Sequence, residues 1–489
     1  MTGSEGDVVV ARSLRADYGL LGQKQPAPEL PEGEVRTVAQ AALRDLLVSW
    51  GLDATRMGSP EWNPLGDWIP AGSRVVLKPN WVLDYNQSGQ GLDCLITHPS
   101  LIEAVLQYVA LARPSQVVLG DAPLQGCDWE ALASSCGLQQ MIDRLHRSGL
   151  QVMLRDFRRT VLRGRRLGDL RQENRRDLSH YVLFDLQDQS LLEELARDAE
   201  KFRVTMYNPD LMARTHGRGR HQYLVAREVM EADVVVSLPK LKSHKKACLT
   251  GALKNLIGIN GNKEYLPHHR RGGAAHGGDC YQGQSWLKAR VEDLMDAANR
   301  MPGGGWQSAL THFAELVAGC SRKLGADDNL EGSWYGNDTI WRTCLDLQRI
   351  LRYGLSDGSL AATPQRTVLT ITDAIVGGER EGPLANTPVP SRFVSGALHP
   401  PAADWIHARL MGYDPDRIPL VRHAFDSFPY PVVDFRSSQV RMIFQGRAYA
   451  AHQVFPFEAR AFQPPKGWLG HCELEGVDDP TLREPTLVA

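Results

Sequence analysis

Residues 232–278 read ADVVVSLPKLKSHKKACLTGALKNLIGINGNKEYLPHHRRGGAAHGG. The opening run, 233–238, is β-branched and has the length of a buried core strand, halted by Pro239. Lys240, Lys242, His244, Lys245 and Lys246 follow within seven residues, as a basic loop leaving that strand. Positive charges this close repel one another, and a bound anion offsets the cost, so a phosphate, carboxylate or sulfate site is the physical expectation. The ordinary alternative is a solvated Lys-rich loop. Because the lysines leave a buried strand and run directly into the apolar TGALKNLIG segment, the anion site is the preferred reading. That segment, 250–258, is a short small-residue helix or turn carrying Lys254 and Asn255, with its first backbone N–H groups aimed at the same anion.

The turn at 260–264 leads to His268, His269, Arg270 and His276. Neutral histidines are common metal ligands, but the spacing of His244, His268, His269 and His276 matches no metal motif such as HExxH. His268 and Arg270 are therefore read as anion-binding or acid–base groups.

Outward from this stretch the chain keeps supplying strand ends. Residues 73–77, SRVVL, form a short buried strand running into Lys78, Pro79 and Asn80. A helix over 101–111 follows, and then a second strand, 116–121, ending in Asp121. Strand, helix and strand in so short a span imply a right-handed crossover and a parallel sheet. The carboxyl ends of such strands are where α/β sheets place ligand groups, although each residue has an ordinary role as strand end, turn former or cap. Residues 366–373 make a further buried strand ending in Asp373, and its Gly-rich continuation holds Glu379 and Glu381. Three carboxylates within nine residues suit a divalent cation or an acid–base group. Asn337 opens a helix over 340–353, either as a conventional start residue or as a ligand contact beside Trp334.

Elsewhere the sequence gives less chemistry. Residues 1–30 read as an irregular arm, 34–50 as an amphipathic helix, and 140–222 as a charged, mutually compensated surface. Helical segments over 281–299 and 307–324 flank Gly303, Gly304 and Gly305, another helix spans 402–411, and 439–444 is strand-like.

Composition limits the function classes. A chain of 489 residues holds two or three domains, or one large α/β domain with insertions, and a formal net charge of -2 argues against a generic nucleic-acid binder. There is no run of 18 apolar residues and no charged-then-apolar N-terminus, so the expectation is a cytoplasmic protein with no membrane partner. Eight scattered cysteines without a CxxC pair support neither an iron–sulfur cluster nor a zinc ribbon. Neither GxxxxGK[ST] nor a GxGxxG following a strand is present, which weakens any nucleotide-dependent scheme.

Taken together, VVLKPNWV at 75–82, VVLGDAP at 117–123, the 232–263 stretch, ITDAIVGGEREGP at 371–383 and RLMGYDPDRIP at 409–419 resemble the domain-of-unknown-function 362 family. The likeness spans roughly residues 70–425, and LPHHRRGG with GSWYGNDTIWRTCLDLQRIL resembles one branch of it. The family implies little chemistry. Some relatives carry a cysteine-rich ferredoxin segment that this chain lacks, so the resemblance implies no electron-transfer role here.

The expected architecture is α/β, with a mixed or mostly parallel sheet flanked by helices. It divides into an N-terminal arm and helix (1–69), the α/β domain (70–425, with a helical insertion at about 281–360) and a C-terminal extension (426–489). The expected function is an enzyme acting by acid–base chemistry on a small phosphorylated or carboxylated substrate, with a divalent cation as a candidate assistant. His244, His268, Asp373 and Glu379 are the candidate catalytic groups. Lys78, Asn80, Lys240, Lys242, Lys254, Asn255, Arg270 and Asn337 are the candidate substrate ligands, and Asp121, Asp373 and Glu379 the candidate metal ligands. Two rival classes stand beside it: a metal-centred redox or racemase-like enzyme, and a non-catalytic binding protein for an anionic metabolite.

Overall fold

Val234–Leu238 is buried along its whole length in a computed structural model of the chain, which describes residues 4–21, 37–163, 171–301, 305–323, 330–454, 456–457 and 461–476. It belongs to a twelve-stranded sheet whose strands, in chain order, are β1 (Asp7–Arg12), β2 (Arg74–Pro79), β3 (Gln116–Asp121), β4 (Val152–Asp156), β5 (Val234–Leu238), β6 (Lys240–His244), β7 (Cys248–Thr250), β8 (Thr367–Glu381), β9 (Ala385–Val389), β10 (Phe393–Ala397), β11 (Arg441–Phe444) and β12 (Arg447–Ala450). The main path runs β12-β11-β1-β10-β8-β5-β2-β3-β4. From β8 to β4 every neighbour is parallel, whereas β10 and β12 run against theirs. The sheet is therefore mixed and mostly parallel, as the apolar runs of β2, β3 and β5 require: strands covered on both faces carry no polar alternation.

Helices α1 (Val38–Ser49) and α2 (Pro99–Leu111) cover one face, where Val75, Leu77, Val117, Leu119, Val234 and Val236 join their core. Val76, Val118 and Val235 point the other way, toward α3 (Ala252–Asn255), α6 (Ile340–Tyr353) and α7 (Pro400–Met411), with α4 (Trp286–Arg300) and α5 (Gly305–Lys323) packed on each other in the insertion. Each such Val or Leu contributes about 1.5–3 kcal/mol by leaving water. α6 is buried on nearly all sides, so its Asp346–Arg349 pair (2.9 Å) must be satisfied inside the protein.

Four expectations change. The basic loop is in fact strand β6: Pro239 supplies its carbonyl to Asp373 N (2.9 Å), and Lys240 then lies opposite Asp373, so the chain continues along the long β8 after the proline. The N-terminal region is not simply an arm, because Val8, Val9 and Val10 sit in β1 between β10 and β11. The same pairing draws part of the C-terminal region into the central sheet. Finally, the first N–H groups of α3 do not face an anion: Ala252 N and Leu253 N are both taken by Asp404 of α7 (2.7 and 2.8 Å). The early helix starts at Val38, with Thr37 and Gln40 forming its capping box, while Glu34 and Gly303–Gly304 fall outside the described residues.

Candidate functional site

Strand alternation explains the KLKSH pattern. Lys240, Lys242 and His244 project to one face of β6, Leu241 and Ser243 to the other, and all five are buried. The expected site residues then separate into two adjoining groups bridged by Lys242.

The first group is a closed knot. Lys240 Nζ lies 3.2 Å from Asp373 Oδ2 and donates to the Tyr18 hydroxyl (2.6 Å), which donates to Asp373 Oδ1 (2.5 Å). His98 N–H also reaches Asp373 (2.9 Å), and the His98 ring stacks on Tyr18 at 3.7 Å. Burial lifts the Tyr18 hydroxyl well above its ordinary range, with the Asp373 charge adding to it, and burial pulls His98 down to about 4.

The second group gathers at the ends of β2, β3 and β5. Lys78 Nζ is 2.7 Å from Asp121 Oδ1 and donates to Asn255 Oδ1 (3.0 Å). Asn255 also donates to Lys78 O and Ser237 Oγ, and accepts from Asn80 (3.3 Å). Burial pushes Asp121 up and Lys78 down, each toward its neutral form. Yet Asp121 accepts Trp81 N (2.7 Å) and Ala122 N (2.8 Å) as well as the ammonium, an acceptor-only pattern at both oxygens, so the pair is ionic.

Next to this pair the positive charge is not balanced. Lys242 donates to Leu95 O and Lys246 to Glu331 O, which are carbonyls rather than carboxylates. Lys254 and Lys263 are buried with no ion pair, and no hydrogen bond from either ammonium group, among the described residues. Burial lowers Lys254, with Lys246 and Lys78 lowering it further, and burial brings Lys263 down to about 8 despite the neighbouring Asp121. His244 and His268 are driven well below 6.5, first by burial and then by Lys254, the leading charge acting on each. Both rings are therefore neutral near pH 7.

The local folding that holds this group is explicit. Gln348 of α6 donates to Leu253 O (2.8 Å), Thr343 of α6 to Pro267 O (2.7 Å), and Asn337 to His268 O (3.0 Å). One helix and its N-terminal approach thus tie the Lys254 turn to the His268 segment. Asp404, which caps α3, also contacts His407 Nδ1 (3.0 Å), and His407 Nε2 lies 2.8 Å from Ser395 Oγ. That Ser–His–Asp order resembles a nucleophilic triad, but Ser395 is 1% exposed and Asp404 is committed to two backbone N–H groups. Its evident work is to fix the turn that bears Lys254.

Other expected residues lie apart. Glu379 accepts Gln463 N (2.8 Å) and stands six positions along β8 from Asp373, and the two form no metal-binding group with Asp121 among the described residues. No three His, Cys, Asp or Glu side chains form a metal-binding group among the described residues. Arg270 is paired with Asp279 (3.6 Å), and Asn337 caps α6 through Thr339 N and Ile340 N (both 3.0 Å). An open cavity of about 450 Å³ lies at the opposite ends of the parallel strands, beside Gln116, Arg155 and His180. There Arg176 pairs with Glu228 (2.5 Å). Sequence reasoning named Lys246 in the basic cluster without giving it a role, and missed Tyr18, His98 and Lys263. Of these three, Lys263, next to Asn262 in the central stretch, carried a usable signal.

Part of the chain, 194 residues, is 29% identical to a thylakoid-associated protein of Synechocystis, a match covering 40% of this chain and 41% of that one. The chain thus matches about two fifths of the length of that curated relative. A crystal structure of a Thermotoga maritima protein aligns over 65% of this chain and 49% of its own, at 11% identity and a TM-score of 0.28. No described helix is long and apolar enough to cross a membrane. The model for the domain of unknown function DUF362 matches residues 75–170 and 189–409, more than half of the chain, and the protein belongs to that family.

Proposed function

We propose that the protein is an enzyme that binds a small phosphorylated or carboxylated substrate and moves a proton on it. The observation that carries this reading is the pair of largely buried lysines, Lys254 and Lys263, whose ammonium groups have no ion-pair or hydrogen-bond partner among the described residues, beside two neutral histidines. Burying an unpaired cation costs several kcal/mol, which an anionic ligand would offset. A neutral imidazole offers a lone pair that can accept a proton, and a bound anion would offset the lysine charges that depress both rings. The chemistry needs no group beyond these side chains, and a divalent cation brought in with the substrate is compatible with it.

The test is a thermal-shift and turnover screen of small phosphate and carboxylate compounds on the full chain. Stabilisation by members of one class, with turnover lost in Lys254→Ala, is the expected result. Stabilisation without turnover of any stabilising compound would favour the binding-protein alternative, and no stabilisation by any anion would remove the reading. We also propose that the protein works in the cytoplasm. Cell fractionation tests that, and recovery with membranes, in line with the relative's name, would overturn it.

A further inference from the structure

The two histidines of this site are not interchangeable, and their hydrogen bonds say which does what. His268 Nδ1 lies 2.6 Å from Leu266 O. A carbonyl oxygen only accepts, so the proton is on Nδ1 and Nε2 presents a bare lone pair. His244 is opposite. Its Nδ1 receives the backbone N–H of Lys246 (3.0 Å) and of Ala247 (3.2 Å), so that nitrogen is the bare one and the proton is on Nε2. Neither Nε2 has a hydrogen-bond partner among the described residues. His244 is buried and His268 half-buried among the same cations: Lys254, Lys242 and Lys246 bear on His244, and Lys254, Lys246 and Lys263 on His268.

We propose that His268 Nε2 is the base of this site and His244 Nε2–H a fixed hydrogen-bond donor, set around an oxyanion held by Lys254 and Lys263. The inference rests on the anion-site reading above and assigns roles within it. In the step it describes, the substrate's X–H bond breaks and the proton goes to His268 Nε2, which becomes an imidazolium. The electron pair stays on the substrate, where the developing negative charge meets the Lys254 ammonium and the His244 N–H. Return of the proton from His268 completes the cycle with no other reactant. His244 cannot serve as the base, because its Nε2 already carries the proton and its Nδ1 is closed by two backbone donors. The matching substrate class is an acid whose labile hydrogen lies next to a phosphate or carboxylate group.

The experiment is nitrogen NMR of full-length protein with labelled histidine, titrated with inorganic phosphate near neutral pH. Assignments come from His244→Gln and His268→Gln, or from backbone correlation where a variant fails to fold. The expected result is opposite tautomers: Nδ1–H for His268 and Nε2–H for His244. Phosphate should move the His268 Nε2 signal toward the protonated position and leave His244 singly protonated. Identical or exchanged tautomers, with phosphate still raising thermal stability, would overturn the role assignment and leave the anion site standing. If phosphate changes neither the ring signals nor the stability, both fall.

Discussion

Gly258 presses against Asp121: a Cβ at position 258 would stand 2.0 Å from Asp121 Oδ1 and 2.7 Å from Lys78 Nζ. Here it is space, rather than backbone freedom, that demands glycine. Gly258→Ala must separate a buried ion pair or displace the 256–259 turn, and we expect a loss of about 3 kcal/mol or more in denaturant unfolding. An alanine variant within about 0.5 kcal/mol of wild type would show that the pair tolerates rearrangement.

Removing Lys240 should destabilise the protein before it says anything about activity. Lys240→Ala leaves Asp373 buried with the Tyr18 hydroxyl and the N–H groups of His98 and Ile375 but without its cation, an uncompensated charge costing about 3–5 kcal/mol. Tyr18→Phe keeps the ion pair and removes one hydroxyl, so about 1–3 kcal/mol is expected. Equilibrium unfolding of the two variants checks the ranking, and the reverse order would place the anchor elsewhere.

Asp404 and Ser395 separate a positioning role from a nucleophilic one. Asp404→Asn weakens two backbone hydrogen bonds at the start of α3, and we expect a loss of about 2–4 kcal/mol together with weaker phosphate binding as Lys254 shifts. Ser395→Ala removes one buried hydrogen bond and should cost about 1 kcal/mol while leaving phosphate affinity and any turnover unchanged. Calorimetry on both variants decides it: abolished turnover in a folded Ser395→Ala protein would make Ser395 the nucleophile after all.

Lys263 gives the site a pH limit. Its folded value, about 8, lies below the ordinary 10.5, so it is charged below that point and neutral above it. An anion favours the charged form, and sulfate does not titrate in this range. Sulfate affinity should therefore fall as pH rises past about 8, and in Lys263→Arg the fall should move to higher pH. Stability runs the other way. Between 8 and 10.5 the unfolded chain binds the proton that the folded chain does not, so the Lys263 contribution to stability rises with pH across that window. Isothermal titration at several pH values reads the first effect, and a flat profile would disconnect Lys263 from the anion.

The parallel strands were legible because buried strands such as Val234–Leu238 carry continuous apolar runs, and their ends at Lys78, Asp121 and Asp373 follow from the topology. Strand β6 was not. Lys240, Lys242 and His244 alternate as a strand should, but three ionisable groups on a buried face read as a loop until partners such as Tyr18 are known, and Tyr18 lies more than two hundred residues away. The short apolar run of Val8, Val9 and Val10 was a readable signal masked by polar surroundings.

Strand β1 has consequences for how the chain is made. It lies between β10 and β11, with Val9 opposite Gly396 on one side and Ile443 on the other. On the ribosome β1 therefore waits for both of its described neighbours while nearly four hundred residues are added. Contacts this distant in sequence form slowly, and an apolar strand kept waiting is open to wrong partners. Synthesis arrested before residue 393 should leave Val8, Val9 and Val10 accessible to a chaperone, whereas release of the whole chain buries them.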